Sequence, residues 1–204
     1  KILFIITDLG SFNNFLSELS IDLILNHGFE VSVICSEEKV INYENKSDFK
    51  LFGIRFHFID IPRSYNIKKQ LQSSKKINSI ILTEKPDIIH AHFTTAIFTT
   101  LLLKKTKTKI WGTFHGLGYP VSKGINKIIF KVVEYYCFLR LEKIIVLNNL
   151  DLISVPIRYK GKLIKTRCVG LGCDLKKFNR DKFSISEKTR LKDSLNISTQ
   201  FVLA

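Results

Sequence analysis

Two apolar patterns take turns along this chain. Mainly apolar runs at residues 1–7 and 29–35 read as strands buried on both faces, as in a parallel sheet, and 86–91, 109–114, 143–147 and 163–169 read as further strands. Residues 53–59 alternate, end near Pro62 and read as one more strand. The intervening segments have the helical period. Phe12, Phe15, Leu16, Leu19 and Leu23 fall at i, i+3, i+4, i+7 and i+11, which predicts a helix to His27, entered through a loop at 8–13 and stopped by a left-handed Gly28. Further helices are expected at 67–83, with Leu71, Ile77 and Ile81 inward, at 95–105, and at 148–154 ahead of Pro156. At 125–139 the spacing puts Ile125, Ile128, Ile129, Val132, Tyr136 and Leu139 on one face, a clearly helical period. Regular alternation of strand and helix predicts an α/β fold, a doubly wound parallel sheet of Rossmann-like form.

From 179 the composition turns polar, and Ser184, Ile185, Ser186 and Glu187 fit a capping box ahead of a small helix ending near Asn196. The expectation is a domain at 1–178, a linker at 179–200, and a strand of a second domain opening at 201–204. The absence of Met and the apolar end at Ala204 give both ends a cut look.

In an open parallel sheet, ligands sit outside the carboxyl ends of the strands. His92 follows the 86–91 run and His115 follows 109–114, so both stand where a crevice is expected. His115 leads into Gly116-Leu117-Gly118, where glycines let backbone N–H groups approach a ligand closely. It is the first candidate for a site residue and the one expected to be catalytic. His92 and Thr94 are candidates too, although Thr94 or Thr95 at that place also suits a helix cap. His90 reads as core. Gly10 and Ser11 lie between the first strand and first helix, where a helix N-terminus favours an anion; a plain turn fits as well. The segment is not G-x-G-x-x-G, which disfavours a dinucleotide dehydrogenase.

The 204-residue chain carries 32 Lys and Arg against 18 Asp and Glu, a net charge of +14. Such a balance favours nucleic acid, anionic lipid or phosphorylated substrates, unless it only reflects lysine-rich residue usage. Cys35, Cys137, Cys168 and Cys173 form no C-x-x-C pair and have no histidine at ligand spacing, so neither a zinc site nor a disulfide framework is indicated and reduced cytoplasmic thiols are expected. No apolar run approaches the length of a membrane span. Glu30 with Glu38 and Glu134 with Glu142 have the same spacing, but neither pair has a loop-to-helix setting.

Taken in order, the strand at 2–7, Gly28-Phe29-Glu30-Val31-Ser32-Val33-Ile34, Lys85-Pro86-Asp87-Ile88-Ile89-His90-Ala91-His92, Thr113-Phe114-His115-Gly116 and Gly170-Leu171-Gly172-Cys173-Asp174-Leu175-Lys176-Lys177-Phe178 resemble the amino-terminal half of a family 4 glycosyltransferase of the GT-B type. Cys173 stands where that motif usually has an aliphatic residue. The subgroup it is similar to is that of bacterial capsule, O-antigen and glycan-assembly transferases. The resemblance implies a retaining transfer from a nucleotide-sugar donor to a glycan or polyprenyl-diphosphate-linked acceptor, with no obligatory metal or other cofactor and no nucleic-acid partner. It places the Gly10 loop near the donor diphosphate, His115 near the transferred sugar or acceptor, and Asp174 in a motif leading toward a second domain. Most donor contacts, paired glutamates included, would come from that second domain. A lipid-linked acceptor would suit a basic protein peripheral to the cytoplasmic membrane face. Two other classes fit the same features: a nucleotide-sugar epimerase of the same shape, and a non-catalytic module that binds a phosphorylated lipid or polyanion.

Overall fold

The computed structural model describes residues 1–37, 52–64, 66–167, 179 and 182–196. The chain divides into two units, Lys1–Leu171 and Gly172–Ala204. In the first, strands β1 (Ile2–Asp8), β2 (Val31–Ser36), β3 (Arg55–Phe58), β4 (Ile88–His92), β5 (Lys109–Phe114), β6 (Lys143–Val146) and β7 (Leu163–Lys165) form one sheet in the order β3-β2-β1-β4-β5-β6-β7. Every pairing is parallel. The doubly wound architecture expected from the apolar runs is the one observed.

Because side chains alternate across a strand, β1 feeds two cores. Leu3 and Ile5 face one layer, where Ile77, Ile81, Ile97, Cys137 and Phe138 pack from helices α3 (Ile67–Glu84), α4 (Thr94–Leu102) and α6 (Gly124–Arg140). Phe4 and Ile6 face the other, filled by Leu9, Phe12 and Leu16 from α1 (Leu9–Phe15) and its junction with α2 (Ser17–Leu25). Strand order reverses between β1 and β4, the place in an open α/β sheet outside whose carboxyl ends ligands sit.

The expected entry loop at 8–13 is instead helix. Asp8 caps α1 by accepting the Ser11 N–H at 2.8 Å, and burial of Leu9 and Phe12 outweighs the weak helix propensity of Gly10 and the asparagines. The helix breaks at Leu16 before continuing as α2, and Gly28 takes the left-handed conformation foreseen for it, φ 67°. Helix α6 has the expected period; on the face the spacing picks out, Ile125, Ile128, Val132 and Leu139 are exposed and Ile129 and Tyr136 half-buried, while Glu134, Cys137 and Phe138 on the opposite side are buried.

Helix α3 buries a polar line, Gln70, Ser73, Ser74 and Asn78. Gln70 Nε2 donates to the Pro62 and Ser64 carbonyls at 2.7 and 3.0 Å, and Ser73 Oγ to the Asp60 carbonyl at 2.6 Å, which holds the segment after β3 at the sheet's carboxyl end. Helices α5 (Gly118–Val121) and α7 (Asn149–Ser154) complete this unit, with a 3-10 turn at Ile157–Lys162. In the second unit, α8 (Ile185–Ser194) starts at the expected capping box, Ser184 with Glu187. Asp174, Cys168, Cys173, the run beyond Arg167 and the apolar end at 201–204 lie outside the described residues. Cys35 and Cys137 are buried, and among the described residues no helix is long and apolar enough to cross a membrane.

Candidate functional site

Strands β4 and β5 end side by side, with His92 paired to Thr113 across the ladder. That register carries His115 just past the end of β5, beside His92. The two rings are joined by a hydrogen bond of 3.2 Å between His92 Nδ1 and His115 Nε2. His90, on the same face of β4 as His92, bonds Thr113 Oγ1 through Nε2 at 2.7 Å. Its ring centroid lies 4.2 Å from that of His92, and Phe4 packs against both. Burial holds all three imidazoles in the neutral form: His90 and His115 are pushed down to about 4, and His92 well below its ordinary value, with repulsion among the rings adding to the effect at His90 and His92. His92 Nε2 is buried without a partner among the described residues.

His115 is half-buried and clamped. Phe93 stacks on its ring at 4.0 Å between centroids and 22° between planes, and Phe15 from α1 leans on it at 5.1 Å. Phe93 has φ 70°, an uncommon conformation for a bulky residue, stabilised by its N–H donating to the Thr113 carbonyl at 3.0 Å. Nothing in the sequence signals that backbone.

The loop after His115 is held by two buried carboxylates, Glu134 and Asp151. Glu134, in the middle of α6, accepts the Gly118 and Tyr119 N–H groups at 2.7 and 3.2 Å and the Thr94 hydroxyl at 3.2 Å. Asp151 in α7 accepts the Leu117 N–H at 3.1 Å. Burial pushes Glu134 above the usual carboxylate range against the pull of those donors. A carboxylate inside an apolar, aromatic helix was the available clue. The spacing of Glu134 and Glu142 brings nothing together, since Glu134 is buried and Glu142 exposed. Thr94 opens α4 without capping it; the cap position belongs to Phe93, with no side-chain cap bond. Gly116 has φ 145°, and a Cβ on Gly118 would stand 2.4 Å from Phe130 Cδ1, so both glycines are demanded by the loop's path.

Gly10 and Ser11 sit apart from this cluster, in the first turn of α1. There the Asp8 carboxylate occupies the Ser11 N–H and also accepts Ser11 Oγ, Thr7 Oγ1 and, at 2.5 Å, Arg63 Nη2. Burial raises its pKa, but the Ser11 and Thr7 hydrogen bonds and the Arg63 charge outweigh that and hold it below the usual range. Arg63 borders two cavities. One, of about 140 Å³, lies against Thr7, Asp8, Ser36 and Asp60; the other, of about 260 Å³, runs between Ile67, Gln70, Thr94, Phe98, Ile129 and Val133. Thr94 thus links the loop cluster to the larger cavity, while His115 lines neither. Among the described residues no group of three or more His, Cys, Asp or Glu side chains is placed to hold a metal ion.

A seven-stranded parallel sheet flanked by helices defines a Rossmann-like domain. Its architecture is shared with GT-B glycosyltransferases. Over 98% of this chain and 50% of its own, a glycosyltransferase from Rickettsia africae ESF-5 superposes with a TM-score of 0.61 at 15% identity. Sucrose-phosphate synthase from Thermosynechococcus elongatus matches 96% of this chain and 52% of its own, TM-score 0.60 at 14% identity. The UDP-N-acetylglucosamine 2-epimerase of Rickettsia bellii matches 97% and 51%, TM-score 0.58 at 12% identity. The chain spans about half the length of these structures, and at such identities they establish the fold alone. No curated protein sequence matches it. The sequence model for glycosyl transferase 4-like proteins matches residues 1–149, and the chain belongs to that family.

Proposed function

We propose that this chain is the acceptor-side domain of a glycosyltransferase that moves a sugar from a nucleotide-sugar donor to a cell-surface glycan or lipid-linked oligosaccharide, with retention at the anomeric carbon. In this reading residues 1–178 form that domain, 179–200 a linker with Asp174 leading toward it, and 201–204 the start of a donor-binding domain. The carrying observation is the His115 ring, fixed at the switch-point crevice by Phe93 and His92. In the transfer the bond from the sugar's anomeric carbon to the diphosphate oxygen breaks, the nucleoside diphosphate leaves with the electron pair, and a bond to the acceptor hydroxyl oxygen forms as its proton passes to the departing diphosphate.

An imidazole with a pKa of about 4 is too weak a base to take that proton near neutral pH. His115 therefore serves as a neutral hydrogen-bonding group that orients a sugar hydroxyl, with Gly116 and Gly118 setting the backbone beside it. Gly10 and Ser11 remain candidates for the diphosphate side, where the negative charge would rely on backbone amides and cations and not on a metal. The test is transfer by the full-length gene product, offered UDP, GDP and ADP sugars with a polyprenyl-diphosphate acceptor. His115→Ala is expected to lower kcat by about a hundredfold, the scale for one oriented hydrogen bond at a reacting centre. Turnover of free nucleotide sugar with no acceptor dependence would support the epimerase reading instead, a class that shares this fold.

A further inference from the structure

The two strand-end histidines differ in what they can reach. His115 is half-buried beside the glycine loop, whereas His92 is 3% exposed and backed by the rings of His90 and Phe4. His90 is itself anchored by the Thr113 hydroxyl at 2.7 Å, and the Thr113 carbonyl accepts the Phe93 N–H at 3.0 Å. One residue of β5 thus braces both the ring behind His92 and the ring stacked on His115. Among the described residues the His92 ring makes one hydrogen bond, from Nδ1 to His115 Nε2 at 3.2 Å, and its Nε2 is buried with no partner. A neutral imidazole carries a single ring proton, so in a bond between two such rings one nitrogen donates and the other accepts. With the proton on His92 Nδ1, His115 carries its own on Nδ1; with the proton on His115 Nε2, its Nδ1 is a bare acceptor. Either way the bond occupies Nε2 of His115 and leaves Nδ1 as the nitrogen that can meet a ligand.

We infer that His92 is a positioning residue: it holds His115 in one tautomer and one ring orientation, with Nδ1 offered to the sugar hydroxyl, and does not itself touch substrate. The state of one imidazole nitrogen is set by the hydrogen bond the other makes, and here that bond comes from a residue sealed behind the site. The His90-Ala91-His92 pattern then has a physical reason. Alternation puts both histidines on one face of β4, where one ring orients His115 and the other backs it. The inference rests on the glycosyl-transfer reading of His115 and adds the group that sets its chemistry.

The experiment joins nitrogen-15 spectra of the histidine rings to sugar transfer by the full-length gene product, with His115→Ala identifying the His115 signals. At neutral pH the wild type should show one protonated and one bare nitrogen on His115, and His92→Leu should move both toward their average. At unchanged circular dichroism, His92→Leu should lower kcat about tenfold with the donor KM unchanged, the pattern of an orientation lost at the reacting centre. His92→Asn, whose amide can stand in for the lost Nδ1 as donor or acceptor, should recover most of that loss. A packing role predicts the reverse order, because Leu keeps the volume of the ring and Asn leaves a gap. Added to His115→Ala, His92→Leu should cost nothing further, since it acts through that ring. Averaged nitrogen shifts in the wild type, an unchanged kcat in His92→Leu, Leu outperforming Asn, or additive losses in the double variant would overturn the assignment. If the wild type transfers no sugar to any acceptor, the transferase reading falls and the ring spectra decide the pair alone: a fixed tautomer lost in His92→Leu keeps His92 as its cause, and one that persists removes it.

Discussion

His115 is held at three points by neighbours from different parts of the chain: stacked by Phe93, touched by Phe15 and hydrogen-bonded by His92. Its loop is held by another. The Glu134 carboxylate, fully buried, takes two backbone N–H groups and one hydroxyl, and removing it strands those donors. Glu134→Ala is expected to cost about 3 kcal/mol in urea unfolding, while Glu134→Gln, which keeps one acceptor oxygen, should cost about half as much. Equal losses for the two variants would show that packing and not hydrogen bonding is what Glu134 contributes. None of this was readable residue by residue. His92, His115, Gly116 and Gly118 were legible because a strand end and a glycine are local properties, whereas the carboxylate that organises them lies at 134 and its sequence neighbours only show that it is out of place.

At the scale of elements, the β1–α1 junction is tied by one side chain. Asp8 caps α1 and pairs with Arg63, and Arg63 is delivered by a segment that Gln70 and Ser73 of α3 hold in place. Replacing Asp8 by Ala removes a cap and a partly buried charge pair together, and a loss of about 2 kcal/mol in thermal or urea unfolding is expected. Because the Ser11 N–H is then unoccupied, the variant also serves as a check on the anion reading. Tighter binding of inorganic diphosphate by Asp8→Ala than by wild type would favour Gly10 and Ser11 as an anion site, and unchanged weak binding would argue for a purely structural turn. The α1 helix itself was hidden in the sequence by Gly10, Asn13 and Asn14. Tertiary burial of Leu9 and Phe12 overrode their weak propensity.

Over the whole molecule, buried neutral histidines make stability depend on pH. His90 and His115 are pushed down to about 4 when folded and His92 well below its ordinary value, against 6.5 for free imidazole, so across that window the unfolded chain binds more protons. Stability therefore rises with pH across that window and is lost as pH falls from 6.5 toward 4. Glu84 acts lower down. Burial raises it, but hydrogen bonds from Lys1, Ser32 and His57 bring it to about 2, so its contribution is present above 4.5 and fades below that. Glu134, shifted upward, opposes the trend modestly because it protonates more easily in the folded state. The Tm should fall as pH drops below 6.5, and a His90→Gln, His92→Gln variant should flatten that limb. An unchanged slope in the variant would place the proton uptake elsewhere.

The sheet was legible in the chain alone: mainly apolar runs can be buried only between two helical layers, and the ends of such strands are where an open sheet presents polar residues. Which face of a helix turns inward was decided by the tertiary structure. Helix α6 is apolar on opposite sides, Ile125, Ile128 and Val132 on one and Cys137 and Phe138 on the other, so its period is a local fact but its orientation is not. The choice fell to the neighbours it packs against, Phe114 of β5 among them, and to the loop amides that needed Glu134. A hydrophobic pattern states that a face is to be covered; only the packed fold states which of two such faces finds a partner in the core and which is left at the surface.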